Sequence, residues 1–175
     1  MFYFYFMKFI PIFILGITLS AQTTNFPKSW EGIWKGKLDI YNSNNEKPTM
    51  TIPMQLVIQP KNDSVSSWEI HYMVEKPDVR KYELIRDGKD NSWKIDEKNG
   101  IVLPQTFLNG RMTSSFSVEK NLLIASYWLE NNQMNFEIIV TQTSPEKTAG
   151  LGNEESPTIG IHPLSSYHKA ELYRE

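Results

Sequence analysis

The sequence predicts an all-β protein: a single antiparallel, up-and-down barrel of about ten strands. Three observations predict it. Apolar and polar residues alternate along a series of short segments. Clusters of Asn, Asp and Gly separate those segments at intervals of about 8–12 residues. No segment after the leader keeps a helical period over a dozen residues.

The chain begins with a leader rather than with the fold. Residues 1–21, "MFYFYFMKFIPIFILGITLSA", carry one charge, Lys8, then an apolar run from Phe9 to Leu19, then small residues at Ser20 and Ala21. That order describes a secretory signal peptide, with cleavage expected after Ala21. The run is short for a membrane span of about 20 residues. The expectation is therefore a secreted or periplasmic protein with no stable span once cleaved; an uncleaved anchor is the alternative. Residues 22–175 have the length of one domain that buries its own core. The chain holds no Cys, which excludes disulfides and cysteine-ligated zinc. Its net charge is −2 with no basic stripe, so nucleic acid is not an expected partner.

The strands follow in order. In "MTIPMQLVIQP", Ile52, Met54, Leu56 and Ile58 share a face. In "SWEIHYMV", Trp68, Ile70, Tyr72 and Val74 alternate with Glu69, His71 and Met73. In "RKYELIRD", Tyr82 and Leu84 share a face with Arg80 and Arg86. "RMTSSFSV" sets Met112, Phe116 and Val118 against Arg111, Thr113, Ser115 and Ser117. "NFEIIVTQ" sets Phe136, Ile138 and Val140 against Asn135, Glu137 and Thr141. Residues i and i+2 of a strand lie on one face, so each segment has one side to bury. Asn99-Gly100 and Asn109-Gly110 are the sharpest hairpin signals, because tight turns need positive φ. Residues 143–166 break the rhythm with three Pro and three Gly, a long connection expected to form a partly ordered flap packed through Leu151, Ile159, Ile161 and Leu164. "SYHKAELYRE" then resumes alternation and is expected to pair with the first strand, closing the sheet.

The first strand is preceded and opened by "SWEGIWKG". Gly32 and Gly36 permit bends and close backbone approach. Trp34, Leu38 and Ile40 share a face, so Trp34 should point inward. A Gly32-x-Trp34-x-Gly36 element leading into a β-meander resembles the calycin superfamily, which includes lipocalins, fatty-acid-binding proteins and nitrobindin-like barrels. The resemblance implies a barrel with Trp34 plugging one end of a cavity. The Thr-Asp-Tyr element and disulfide of lipocalins are absent, and ten strands suit the other two groups better.

The candidate site residues follow from facing and from this resemblance. Trp34, Tyr72, Tyr82, Phe116 and Trp128 are expected to line the cavity. Some fatty-acid-binding barrels hold a carboxylate with an interior Arg and Tyr, which points to Arg86 with Tyr82; Arg forks onto a carboxylate in two places. Nitrobindin-like barrels carry a haem-ligating His near the last strand, which points to His168, although their paired histidines are missing here. His71 lies on a polar face and His162 in the long loop. No Gly-x-Ser-x-Gly elbow, His-Glu-x-x-His or phosphate-binding glycine loop occurs. Asp96 and Glu97 point to opposite faces, and Ser114, Ser115 and Ser117 have no evident base. The expectation is a protein that is not an enzyme and has no catalytic or metal site. It would carry or sense a small apolar molecule; the alternatives are a haem barrel built on His168 and a ligand-free interaction module at the cell envelope.

Overall fold

A computed structural model describes residues 25–88 and 92–175. The expected leader, residues 1–21, lies outside them. Ten strands close into one antiparallel barrel. They are β1 (Gly32–Asn42), β2 (Met50–Asn62), β3 (Val65–Tyr72), β4 (Asp78–Asp87), β5 (Ser92–Asp96), β6 (Val102–Leu108), β7 (Arg111–Val118), β8 (Asn121–Glu130), β9 (Gln133–Gln142) and β12 (Leu164–Arg174). Successive strands are neighbours from β1 to β9, and β12 closes the circle between β9 and β1. The all-β, ten-stranded, up-and-down barrel is as the alternation predicts.

The turns explain the meander. Asn109 and Gly110 take φ of 48° and 74°, and Asn131 and Asn132 take 49° and 61°. Both pairs supply the positive φ that a tight hairpin requires. Two glycines in β1 have separate reasons. Gly32 sits at φ 138°, where a side chain is strained. At Gly36 a Cβ would lie 2.1 Å from the Glu171 carbonyl oxygen of β12, so only a bare backbone permits that approach.

Inward faces build one core. Trp34 is fully buried between Leu56 of β2 and Arg174 of β12 in register. A short 3-10 turn, Lys28–Trp30, precedes β1 and pushes Trp30 into the same end. The Trp34 indole Nε1 donates to the Trp30 carbonyl at 2.8 Å. Phe26 packs edge-on against Trp30 and Trp93, with centroids 4.8 and 5.1 Å away, and against Phe107 at 4.6 Å. The Arg174 guanidinium covers Trp34 from outside, 4.4 Å from its ring, and donates to the Ser29 carbonyl. This end of the barrel is a solid aromatic plug.

Residues 143–166 differ from expectation. β10 (Lys147–Ala149) and β11 (Ile159–Ile161) form a two-stranded ribbon of their own. Leu151, Ile159, Ile161 and Leu164 are all exposed rather than packed. Backbone bonds order the segment instead: Leu151 and Gly152 N–H both donate to the Ser156 carbonyl. Among the described residues no helix is long and apolar enough to cross a membrane.

Candidate functional site

Above the plug the barrel is not filled. A cavity of about 150 Å³ lies between β3, β4, β5, β6, β7, β8 and β9. Trp68 is its floor. The indole touches Trp30 of the plug at 6.3 Å between ring centroids and meets Tyr127 edge-on at 5.0 Å on the other side. Phe136 stacks on Tyr127 at 4.5 Å. Phe116, Ile138, Ile95 and Leu103 make the walls, and Tyr72, Tyr82 and Glu97 stand toward the mouth.

The polar atoms in this wall are few and mostly neutral. Trp68 is completely buried, yet among the described residues its Nε1–H has no hydrogen-bond partner. The Tyr127 hydroxyl comes near enough to the indole to be influenced by it, but short of hydrogen-bond geometry. Two other buried polar atoms lack partners among the described residues, Ser29 Oγ and Trp30 Nε1, and both lie in or beside the plug. A buried donor without an acceptor costs about 1–3 kcal/mol, so the Trp68 N–H calls for an explanation. Burial holds the Tyr127 phenol far above its ordinary range. Burial likewise pushes Tyr72 up to about 12, reinforced by neighbouring Tyr82 and opposed by Arg80. Both phenols therefore remain protonated donors at any ordinary pH.

Of the residues expected at the site, Tyr72, Tyr82 and Phe116 come together at the cavity. Trp34 points inward as expected but belongs to the plug, below the Trp68 floor. Trp128 is a correction. It sits opposite Arg111 in register and faces outward, with the Arg111 guanidinium 3.9 Å above its ring and bonded to Glu137. Its neighbour Tyr127 takes the inward place, because Tyr127 pairs with Phe136 and Met112.

Arg86 is the second correction. It shares the parity of Leu84, but it lies at the plugged end opposite Trp93 and is exposed. The arginine near the tyrosines is Arg80, at the mouth, and its Nε and Nη2 both bond Asp78 at 2.9 and 2.7 Å. His168 faces inward at the register of Ile40 and Ile138, half-buried, with Nε2 3.3 Å from Ser166 Oγ. Burial lowers its pKa. It lines no part of the cavity. The site therefore does not fit a haem: a cavity of about 150 Å³ is of the size that takes benzene, and the one candidate axial ligand is outside it.

Sequence reasoning passed over Trp68, Tyr127, Gln105 and Ser114, all of which face the cavity. Trp68 had a signal, since it alternates with Ile70 and Tyr72. Gln105 and Ser114 had none, being polar residues on an inward face.

Fold and cavity together define a closed, ten-stranded antiparallel barrel with an internal space of about 150 Å³. No family model matches the sequence, and no curated protein matches it. Among solved structures the chain is similar to the S-type phycobiliprotein lyase CPES from Guillardia theta, with a TM-score of 0.52 and 10% identity over 83% of this chain and 88% of that one. At that identity the likeness is one of fold. It corrects the expectation that this chain is not an enzyme, because a lyase is built on a barrel of the same kind.

Proposed function

We propose that the barrel binds a small, uncharged, largely apolar molecule that carries a hydrogen-bond acceptor such as a carbonyl oxygen. The observation behind this is the unpartnered Trp68 N–H in the cavity floor beside the Tyr127 hydroxyl. Two neutral donors at the end of an apolar space suit one acceptor atom on a ligand. A phycobiliprotein lyase on a similar barrel supports a small-molecule ligand for this one.

The charge of the wall argues against a carboxylate ligand. Among the described residues no Lys, Arg or His lines the cavity, Arg80 at its mouth is already paired with Asp78, and the one carboxyl group in the lining is Glu97. A carboxylate placed there would lose its hydration and face another acid. A fatty-acid carrier of the kind that the resemblance implies is thus not favoured. The space of about 150 Å³ suits a single ring with a short substituent.

Three ligands of similar size test this: acetophenone, ethylbenzene and benzoate, titrated against the tryptophan fluorescence of the protein. Acetophenone should bind most tightly and benzoate at least about tenfold more weakly, the cost of an uncompensated buried charge. Trp68→Phe should bring acetophenone down to the level of ethylbenzene, a loss of about 0.5–1.5 kcal/mol for one net hydrogen bond. Benzoate binding as well as acetophenone would falsify the assignment.

We also propose that the protein acts outside the cytoplasm, on the strength of residues 1–21 as a signal peptide. N-terminal sequencing of the mature chain should begin at Gln22; a chain recovered intact from Met1 sinks the idea.

A further inference from the structure

One seam of the barrel is left unzipped. β6 and β7 pair at Leu108↔Arg111, Phe107↔Met112 and Thr106↔Thr113, and the ladder stops there. On its other side β7 pairs with β8 over its full length, from Arg111 to Val118. β6 likewise stays paired with β5 from Val102 to Gln105. Continuing the register would set Gln105 opposite Ser114 and Pro104 opposite Ser115, but neither pair forms. Backbone groups alternate in direction along a strand, so beyond Thr106 and Thr113 the groups left open at the seam are the Ser115 N–H and C=O on β7 and the Pro104 C=O on β6, inside an otherwise closed wall. Pro104 suits such a place, since proline has no N–H to offer a ladder.

The seam joins two spaces. Ser114 lines the inner cavity and also an outer groove of about 550 Å³, formed with Pro104, Thr106, Leu108, Arg111 and Thr113. Gln105, which would oppose Ser114, is held back by its own strand, its amide donating to the Leu103 carbonyl at 2.9 Å. Both side chains are less than one-tenth exposed, so the wall at this point is one small hydroxyl and one amide thick. Leu108 stands 70% exposed in the groove.

We propose that this seam is a side port into the cavity, and that the outer groove is the second half of the ligand site. The inference rests on the small-molecule reading above and enlarges it. The inner cavity is smaller than the roughly 300–1,000 Å³ of common small-molecule sites, and the groove supplies the missing room. The ligand class is an elongated amphiphile. Its neutral ring sits on Trp68, a polar linkage passes the open backbone edges of β6 and β7, and an apolar tail lies on Pro104 and Leu108.

Two probes that differ only in a tail test the port: acetophenone and 4′-hexyloxyacetophenone. The tail should add about tenfold in affinity. Thr113→Trp, which fills the groove from outside, should remove that gain and leave acetophenone unchanged; Leu108→Glu should do the same in part. A tail that adds nothing overturns the port, and so does a gain that survives both variants, since the tail then leaves by the mouth. Failure of acetophenone itself to bind strikes the ligand assignment alone. The port is then decided by hydrogen exchange of the ligand-free protein. The Ser115 amide, which faces the seam, should exchange at least about tenfold faster than the ladder amides of β8 and β9. Equal protection overturns it.

Discussion

The two ends of the barrel are made from the same ten strands, yet one is solid and the other holds a cavity. At the plugged end Trp30, Trp34, Trp93, Phe26 and Phe107 fill the space, and Arg174 lies over the top. Past Trp68 the inward residues shrink or become polar: Ser114, Ala125, Gln105, Tyr72 and Tyr82. Strand geometry cannot cause the difference, because pairing runs along both ends of most strands. Side-chain volume causes it, together with a segment outside the barrel that is tucked into one end only. The lesson is a division of labour: aromatic side chains pack one end solid, and the space above Trp68 is left open.

Mutations that treat the ends alike should give unequal results. The largest effect is expected at the plug. Trp30→Ala should lose about 3–5 kcal/mol in urea unfolding, as expected for truncating a buried large aromatic. Phe116→Ala, at the half-buried wall of the open end, should lose less than half as much, since the space it leaves joins an existing cavity. Equal losses would show that the open end is packed as tightly as the plug, and would erase the comparison.

A smaller effect is expected for Gly36→Ala. The added methyl meets the Glu171 carbonyl and the Leu172 side chain, so β1 and β12 must part. About 1–3 kcal/mol is expected from such overpacking. Thermal unfolding of the variant measures it, and an unchanged midpoint would mean that the two strands separate freely.

The smallest effect is a pH dependence at the open end. The Tyr72 phenol titrates near 12 in the folded chain against about 10 when unfolded. The folded state thus holds its proton more tightly. Stability from this group is complete below about pH 10 and falls as pH rises toward 12. Absorbance titration at the phenolate band should show several late tyrosines, of which the one near 12 vanishes in Tyr72→Phe. In that variant the alkaline loss of stability should be shallower than in the parent chain.

Particular residues show how far the sequence reaches toward the site. Tyr72, Tyr82 and Phe116 were legible because each alternates with polar residues on a clear strand. Trp128 was misplaced because Tyr127, Trp128 and Leu129 are three large apolar residues in a row, and period two then gives no phase. Only the pairing of Tyr127 with Phe136 sets it. Arg86 had the right parity and the wrong height: alternation tells inside from outside but not top from bottom. Trp30 precedes the first strand, so no period applies to it at all.

The sequence by itself determined the secondary structure and the closure of this protein. Alternation, positive-φ turns and a last strand free to meet the first are local properties, and local sterics enforce them. Gly32 belongs to the same class through its φ of 138°, whereas Gly36 is required only because β12 packs against it. Tertiary structure alone decided where the barrel is full and where it is empty. It also placed the orphan Trp68 N–H at a cavity and ended the β6–β7 ladder at Thr106 and Thr113. Those outcomes depend on how side chains from seven strands share one volume, and that sum is not written in the period of any single strand.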